Sequence, residues 1–132
     1  MKFTMKEEGY DVTTAFGTIP VNGNEETGFK PGELLVASIV VCSASVLRKV
    51  LEKMRMPADE VLVDVRSVER DEENGNRFSS IHFHLTIIGD AVKEERLEKA
   101  VEVATKNCAM IQTVKDVIDI QKTYEWQPSK KD

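Results

Sequence analysis

Between Leu34 and Leu47 the chain runs fourteen residues without a charge, LLVASIVVCSASVL. Pro31 stands just ahead of this run, where a helix's first turn tolerates its missing N–H. Pro57 follows it, and Lys49, Lys53 and Arg55 suit the negative end of a helix dipole. The pattern predicts one helix from about Pro31 to Met54. Its first two-thirds are apolar on nearly every face, and a helix apolar all round is buried all round. At about 1.5 Å per residue such a helix is about 35 Å long. The remainder of a 132-residue chain can hardly surround it. The expectation is a long buried central helix covered in part by a second copy of the chain, that is, a homodimer.

Length allows one domain, assigned to residues 1–126, with a short polar tail, QPSKKD, at 127–132. The composition, 41% hydrophobic and 31% charged, is that of an ordinary globular protein. A net charge of −5 argues against nucleic acid, which would call for a basic face. The uncharged run falls short of the roughly 18–20 residues of a bilayer span, and MKFTMKEEGYD has no apolar signal region. Two cysteines do not make a disulfide framework. These readings point to a cytoplasmic protein with no membrane or nucleic-acid partner.

The first twenty residues read as two short strands around a Glu8-Gly9 turn, the second from Tyr10 to Phe16. NGNEETGFK, 22–30, is a loop. VLVDVRSVER (61–70) and RFSSIHFHLTII (77–88) are strands joined through Asn74-Gly75, a strong hairpin signal. A two-residue turn there would put Val63 and Val65 on the face of His82 and His84 rather than that of Ile81, Phe83 and Leu85. A longer turn, a bulge, or sheet faces covered on both sides would resolve the conflict. Asp90 is placed to cap a helix over 92–106, Asn107 breaks it, and a short helix from Cys108 to about Lys115 follows. Val117 to Trp126 is a last strand, with Ile118, Ile120, Tyr124 and Trp126 on one face. The order β-β-α-β-β-α-α-β makes an α+β domain.

The residues that could carry chemistry are Cys42 and Cys108, the chain's two cysteines. Free cysteine is often a small core hydrophobe. Ser38 and Ser45, at i−4 and i+3 from Cys42, form a stripe of small side chains that another segment can approach closely. Cys108 sits beside a capping Asn107 at a helix start, where unpaired N–H groups favour a thiolate. On these grounds Cys108 is expected to be the better thiolate, and Cys42, mid-helix among apolar residues, to have a raised pKa. His82 and His84 share a strand face, but zinc needs three or four ligands and no third has matching spacing. No phosphate loop, Gly-x-Ser-x-Gly or dinucleotide fingerprint occurs, so no metal or cofactor is expected.

KPGELLVASIVVCSASVLRKVL resembles the helix motif of the OsmC/Ohr family: a Pro, acidic residues, Leu-Leu, small residues and then a Cys. SVERDEENGNRFSSIHFHLTIIGD, KAVEVATKNCAMI and VIDIQKTYEW are similar to its YhfA-like branch, so the resemblance spans about 30–126. It implies an intertwined homodimer with paired central helices and sites at the interface. It also implies a thiol peroxidase, in which the helix cysteine, here Cys42, attacks the peroxide and the later one, here Cys108, resolves the sulfenic acid to a disulfide. An external dithiol would then be the reductant. Active family members place a Glu directly after the Pro to orient an Arg from the N-terminal part. Here that position is Gly32; Glu33 points about 100° away around the helix, and no arginine precedes Arg48. Two readings follow. One is a hydroperoxide reductase built on Cys42 and Cys108, with Glu33, Ser38, Ser45 and Asn107 as supporting residues. The other is a non-catalytic dimer that binds an apolar small molecule or senses redox state.

Overall fold

The computed structural model describes residues 1–130; the last two residues of the expected tail, 131–132, lie outside the described residues. The chain forms two compact units, 1–38 and 39 onward.

In the first unit β1 (Lys2–Met5), β2 (Tyr10–Thr13) and β3 (Thr18–Val21) form an antiparallel sheet in that order. The sequence pattern showed only two strands here. Pro20, which cannot donate to a ladder, disguises the third, and β3 tolerates it as an edge strand. The strand expected to run to Phe16 stops at Thr13, because Thr14 turns the chain: its backbone N–H donates to Gly17 O at 2.8 Å. Gly9 makes the first turn at φ 67, and a Cβ there would collide with Asn22. In the following loop Thr27 Oγ1 donates to the Glu8 carboxylate at 2.7 Å. The full order is therefore β-β-β-α-β-β-α-α-β.

Helix α1 (Pro31–Lys53) begins in the first unit and continues into the second. Its span matches expectation. Arg55 ends it at φ 61, with Met56 N–H donating to Leu51 O, and Pro57 prevents resumption. Within one chain the expected all-round burial stops at one stripe: Ile39, Ser43, Leu47 and Leu51, one residue every fourth position. Val41 is 62% exposed. By length and composition α1 is also long and apolar enough to cross a membrane, with mean hydropathy 2.0, which the count of uncharged residues alone did not register.

The second unit's sheet has the order β4 (Glu60–Asp71), β5 (Arg77–Ile88), β6 (Asp119–Gln127). β5 is its centre. Ile81, Phe83, Leu85 and Ile87 alternate inward, each no more than 1% exposed. β4 pairs with it antiparallel and β6 parallel. The parallel pair requires a crossover, which α2 (Leu97–Lys106) and α3 (Ala109–Val114) supply. Asp90 does not cap α2. It accepts from Ser129 N–H at 3.0 Å, and a 3-10 turn at Glu94–Arg96 leads into the helix instead.

The hairpin register is settled by the turn. Five residues, 72–76, separate the paired Asp71 and Arg77, with Gly75 and Asn76 both left-handed. Val61, Val63 and Val65 consequently stand opposite Ile87, Leu85 and Phe83, on the core side. Two bulges follow, one with Arg66 unpaired on β4 and one with Ser79 unpaired on β5. They cancel, so the ladder has the same offset at both ends. The first explains why the valine spacing lengthens from two to three before Val68, which stands opposite Ile81.

Leu47, 1% exposed on the buried stripe, gives the direct check of this packing. Leu47→Ala is expected to cost about 2–5 kcal/mol in urea unfolding. A loss below about 1 kcal/mol would show that the stripe is not packed as described.

Candidate redox site

Cys42 lies on α1 beside the buried Ser43, and Cys108 occupies the position just ahead of α3. Both are free thiols. The Cys108 side chain and the backbone of Met110 and Ala109 all act on the Cys42 sulfur. Four elements converge here: α1, the start of α3, β5 and β6.

The electrostatics invert the expectation from sequence. The Met110 N–H, followed by the Cys108 thiol, holds the Cys42 pKa below the ordinary cysteine range, against the opposing effect of burial. Burial pushes Cys108 upward, and the hydrogen bond and charge of Cys42 add to that, with the Ile111 and Met110 N–H groups opposing. The first-turn N–H groups of α3 reach across to the cysteine on the other helix as well as to their own. Cys108 is 0% exposed, whereas Cys42 is partly open to solvent. The first proton to leave the pair therefore leaves its charge on Cys42.

The sequence reading found no cation for this site, and the structure supplies one. Lys122 pairs with Phe83 across the β5–β6 ladder and so lies on the inner face. Its Nζ donates to Ser43 Oγ at 3.0 Å and stands 5.9 Å from the Phe83 ring centroid. Burial lowers its pKa, while the charge of Cys108 raises it. Lys122 also lines a cavity of about 320 Å³ with Thr105, Ile111, Gln112 and Ile120. The signal was available in the inward run Ile118, Ile120, Tyr124, Trp126, whose period of two places residue 122 on the same face. Ser43 was legible in the same way, as the one polar member of α1's four-residue stripe.

The other expected site residues are not brought in. Ser38 is exposed and its Oγ donates to Leu35 O at 2.7 Å. Ser45 is exposed, and Glu33 is an exposed residue of the first unit. Asn107 ends α2 at φ −102, not in a left-handed conformation, and its side-chain amide donates to Val103 O at 2.9 Å. His82 and His84 lie on the opposite sheet face. Both ring systems hydrogen-bond Thr123, and His84 also meets Glu125 at 3.0 Å.

A family model described as OsmC-like protein matches residues 23–122, most of the chain. This chain is an OsmC-like protein. Solved structures agree on the fold. A hypothetical protein from Aquifex aeolicus VF5 superposes with TM-score 0.85 at 24% identity, covering 98% of this chain and 96% of its own. An OsmC-like protein from Mycoplasma pneumoniae gives 0.82 at 13% identity, over 95% and 94%. The organic hydroperoxide resistance protein OhrB of Bacillus subtilis gives 0.66 at 19% identity, over 94% and 96%. Among curated proteins no sequence relative matches. Both cysteine positions of this OsmC-like protein thus meet in one site, although only the first of the two motifs lies on α1.

The pH dependence follows from the charge placement. A lowered pKa means that half of Cys42 is thiolate at a pH below that of an unperturbed thiol, and alkylation rises through that midpoint. Iodoacetamide labelling read by peptide mass spectrometry should therefore give Cys42 a midpoint below that of glutathione. Cys108→Ala, which removes a donor, should raise it. A Cys42 midpoint at or above that of glutathione would contradict the hydrogen-bond arrangement.

Proposed function

We propose that this OsmC-like protein is a cytoplasmic, homodimeric thiol peroxidase that reduces organic hydroperoxides. The observation that carries the reading is the contact between the two thiols, with the lower pKa on the more accessible one. The thiolate of Cys42 attacks the terminal oxygen of the O–O bond. That bond breaks, the alkoxide leaving group takes a proton and departs as an alcohol, and Cys42 becomes a sulfenic acid. Cys108 then attacks the Cys42 sulfur, an S–S bond forms, and the hydroxyl leaves as water with the Cys108 proton. An external dithiol reduces the disulfide by exchange and is itself oxidised. The N–H groups of Met110 and Ala109 stabilise the attacking thiolate without a cation on Cys42 itself, which answers the absence of an early arginine. OhrB and other structural neighbours named for organic hydroperoxide resistance support the substrate class.

The dimer is supported by α1. Outside its four-residue stripe the helix leaves apolar side chains open, Val41 foremost, and a second copy of the same helix is the simplest cover.

Two measurements test this. In a dithiol-coupled assay with cumene hydroperoxide, Cys42→Ser should reduce consumption to the uncatalysed background, and mild peroxide should remove two thiol hydrogens from the native chain. Unchanged consumption in the variant would sink the peroxidase. Two thiols left unreacted in the native chain would favour a non-catalytic dimer binding an apolar molecule. Light scattering coupled to size exclusion should give a dimer at micromolar concentration, and Val41→Lys should shift it toward monomer. A native monomer, or a chain recovered only with membranes, would overturn the dimer.

A further inference from the structure

We propose that the groove between α1 and α2 binds a medium- or long-chain fatty carboxylate, with its acyl chain on an apolar floor and its head among four cations. The groove encloses about 630 Å³, a volume in the range of small-molecule sites. Its floor is made by Val46, Val50 and Met54 of α1 and Val103 of α2. The fold buries none of these four completely, so each keeps apolar surface open to the groove. Along α1, Val46 and Met54 are about 12 Å apart, which gives the floor the elongated shape of one chain.

The rim carries one sign of charge. Lys49 and Lys53 border the groove from α1, Arg96 and Lys99 from the start of α2, and no carboxylate lines it. The chain as a whole has 23 acidic and 18 basic side chains, so the sign is reversed here. Among the described residues none of the four cations forms an ion pair, whereas Lys106, on another face of α2, pairs with Glu102 at 3.4 Å. Arg96 Nη1 donates to Met54 O at 3.0 Å, which sets the start of α2 against the end of α1. The helices run back along each other from that point, and Lys53, Arg96 and Lys99 collect at that end. The α1 dipole favours Lys53 there, but Arg96 and Lys99 stand where the α2 dipole disfavours a cation. Helix stability therefore explains only part of the cluster. A bound anion relieves the repulsion among its members.

The groove is not the face assigned to a second copy of the chain. Val46 and Val50 stand about 140° and 180° around α1 from Val41. A ligand here lies with its carboxylate at the Met54 end and its chain directed toward Val46, one helical turn beyond Cys42. Asn107, which borders the groove, immediately precedes Cys108. The binding uses neither thiol, so it stands apart from the peroxidase reading.

The experiment uses the full chain and decanoate below its micelle concentration. In methyl-labelled protein, decanoate should shift the resonances of Val46, Val50 and Val103 and leave those of Val41 in place. By calorimetry, affinity from octanoate to dodecanoate should rise by up to about fourfold per methylene. Decanol, which has the chain without the charge, should bind about tenfold more weakly than decanoate. Lys53→Gln combined with Lys99→Gln, both at exposed positions, should weaken decanoate about tenfold and leave decanol unchanged. The corresponding Lys53→Arg and Lys99→Arg pair should retain decanoate. Absence of decanoate binding, decanol binding as tightly as decanoate, or acetate doing so, overturns the proposal. Shifts centred on Val41 would place the ligand on the other face of α1 and overturn it equally.

Discussion

A protonated lysine on the inner face of a sheet is tolerable only where acceptors are fixed around it, and this site is arranged under that constraint. Lys122 extends into a layer otherwise made of Ile81, Phe83, Leu85 and Ile87. It needs a hydroxyl at hydrogen-bond distance, which Ser43 provides from α1. That bond brings the stripe of α1 to β6, with Cys42 next in sequence. The crossover between the parallel strands β5 and β6 supplies the other side, because α3 begins at Cys108. Sheet, crossover and helix thus meet around one ammonium and two thiols.

The site divides its electrostatic tasks. The backbone of Met110 and Ala109 lowers the Cys42 pKa, and burial raises that of Cys108. A fixed N–H dipole acts only over a short range, and it acts here on the thiol that remains partly open to solvent. The departure at Gly32 and the lack of an early arginine thus accompany a thiol whose pKa is lowered by backbone groups rather than by a cation.

Much of this was legible in the sequence. The limits of α1, the hairpin, the crossover helices and the two cysteines follow from periodicity and breakers. The family resemblance tied Cys42 to Cys108. What escaped reading has specific causes. Pro20 masked an edge strand. Asn74-Gly75 suggested a tight turn, whereas Gly75 and Asn76 are both left-handed within a five-residue loop. Ser38 and Ser45 drew attention because they flank Cys42, but the serine that matters is Ser43, set by the fourfold spacing of the buried stripe. The relative acidity of the thiols was inverted because local context around each cysteine cannot show that the N–H groups of one helix turn point at a sulfur on another. Lys122 was passed over in an apolar alternation because it is charged, although its position in that alternation is what brings it to Ser43.

The connection between the cysteines also spans most of the second unit. Cys42 precedes β4, and Cys108 follows α2, so a bond between them encloses β4, β5 and α2 in a covalent ring. By loop-closure entropy such a ring disfavours the unfolded chain by about 4 kcal/mol. Reduced and oxidised molecules of this protein would then melt at different temperatures. Its heat tolerance would record the oxidant load of its surroundings, and loss of the reductant would leave it in its most persistent form.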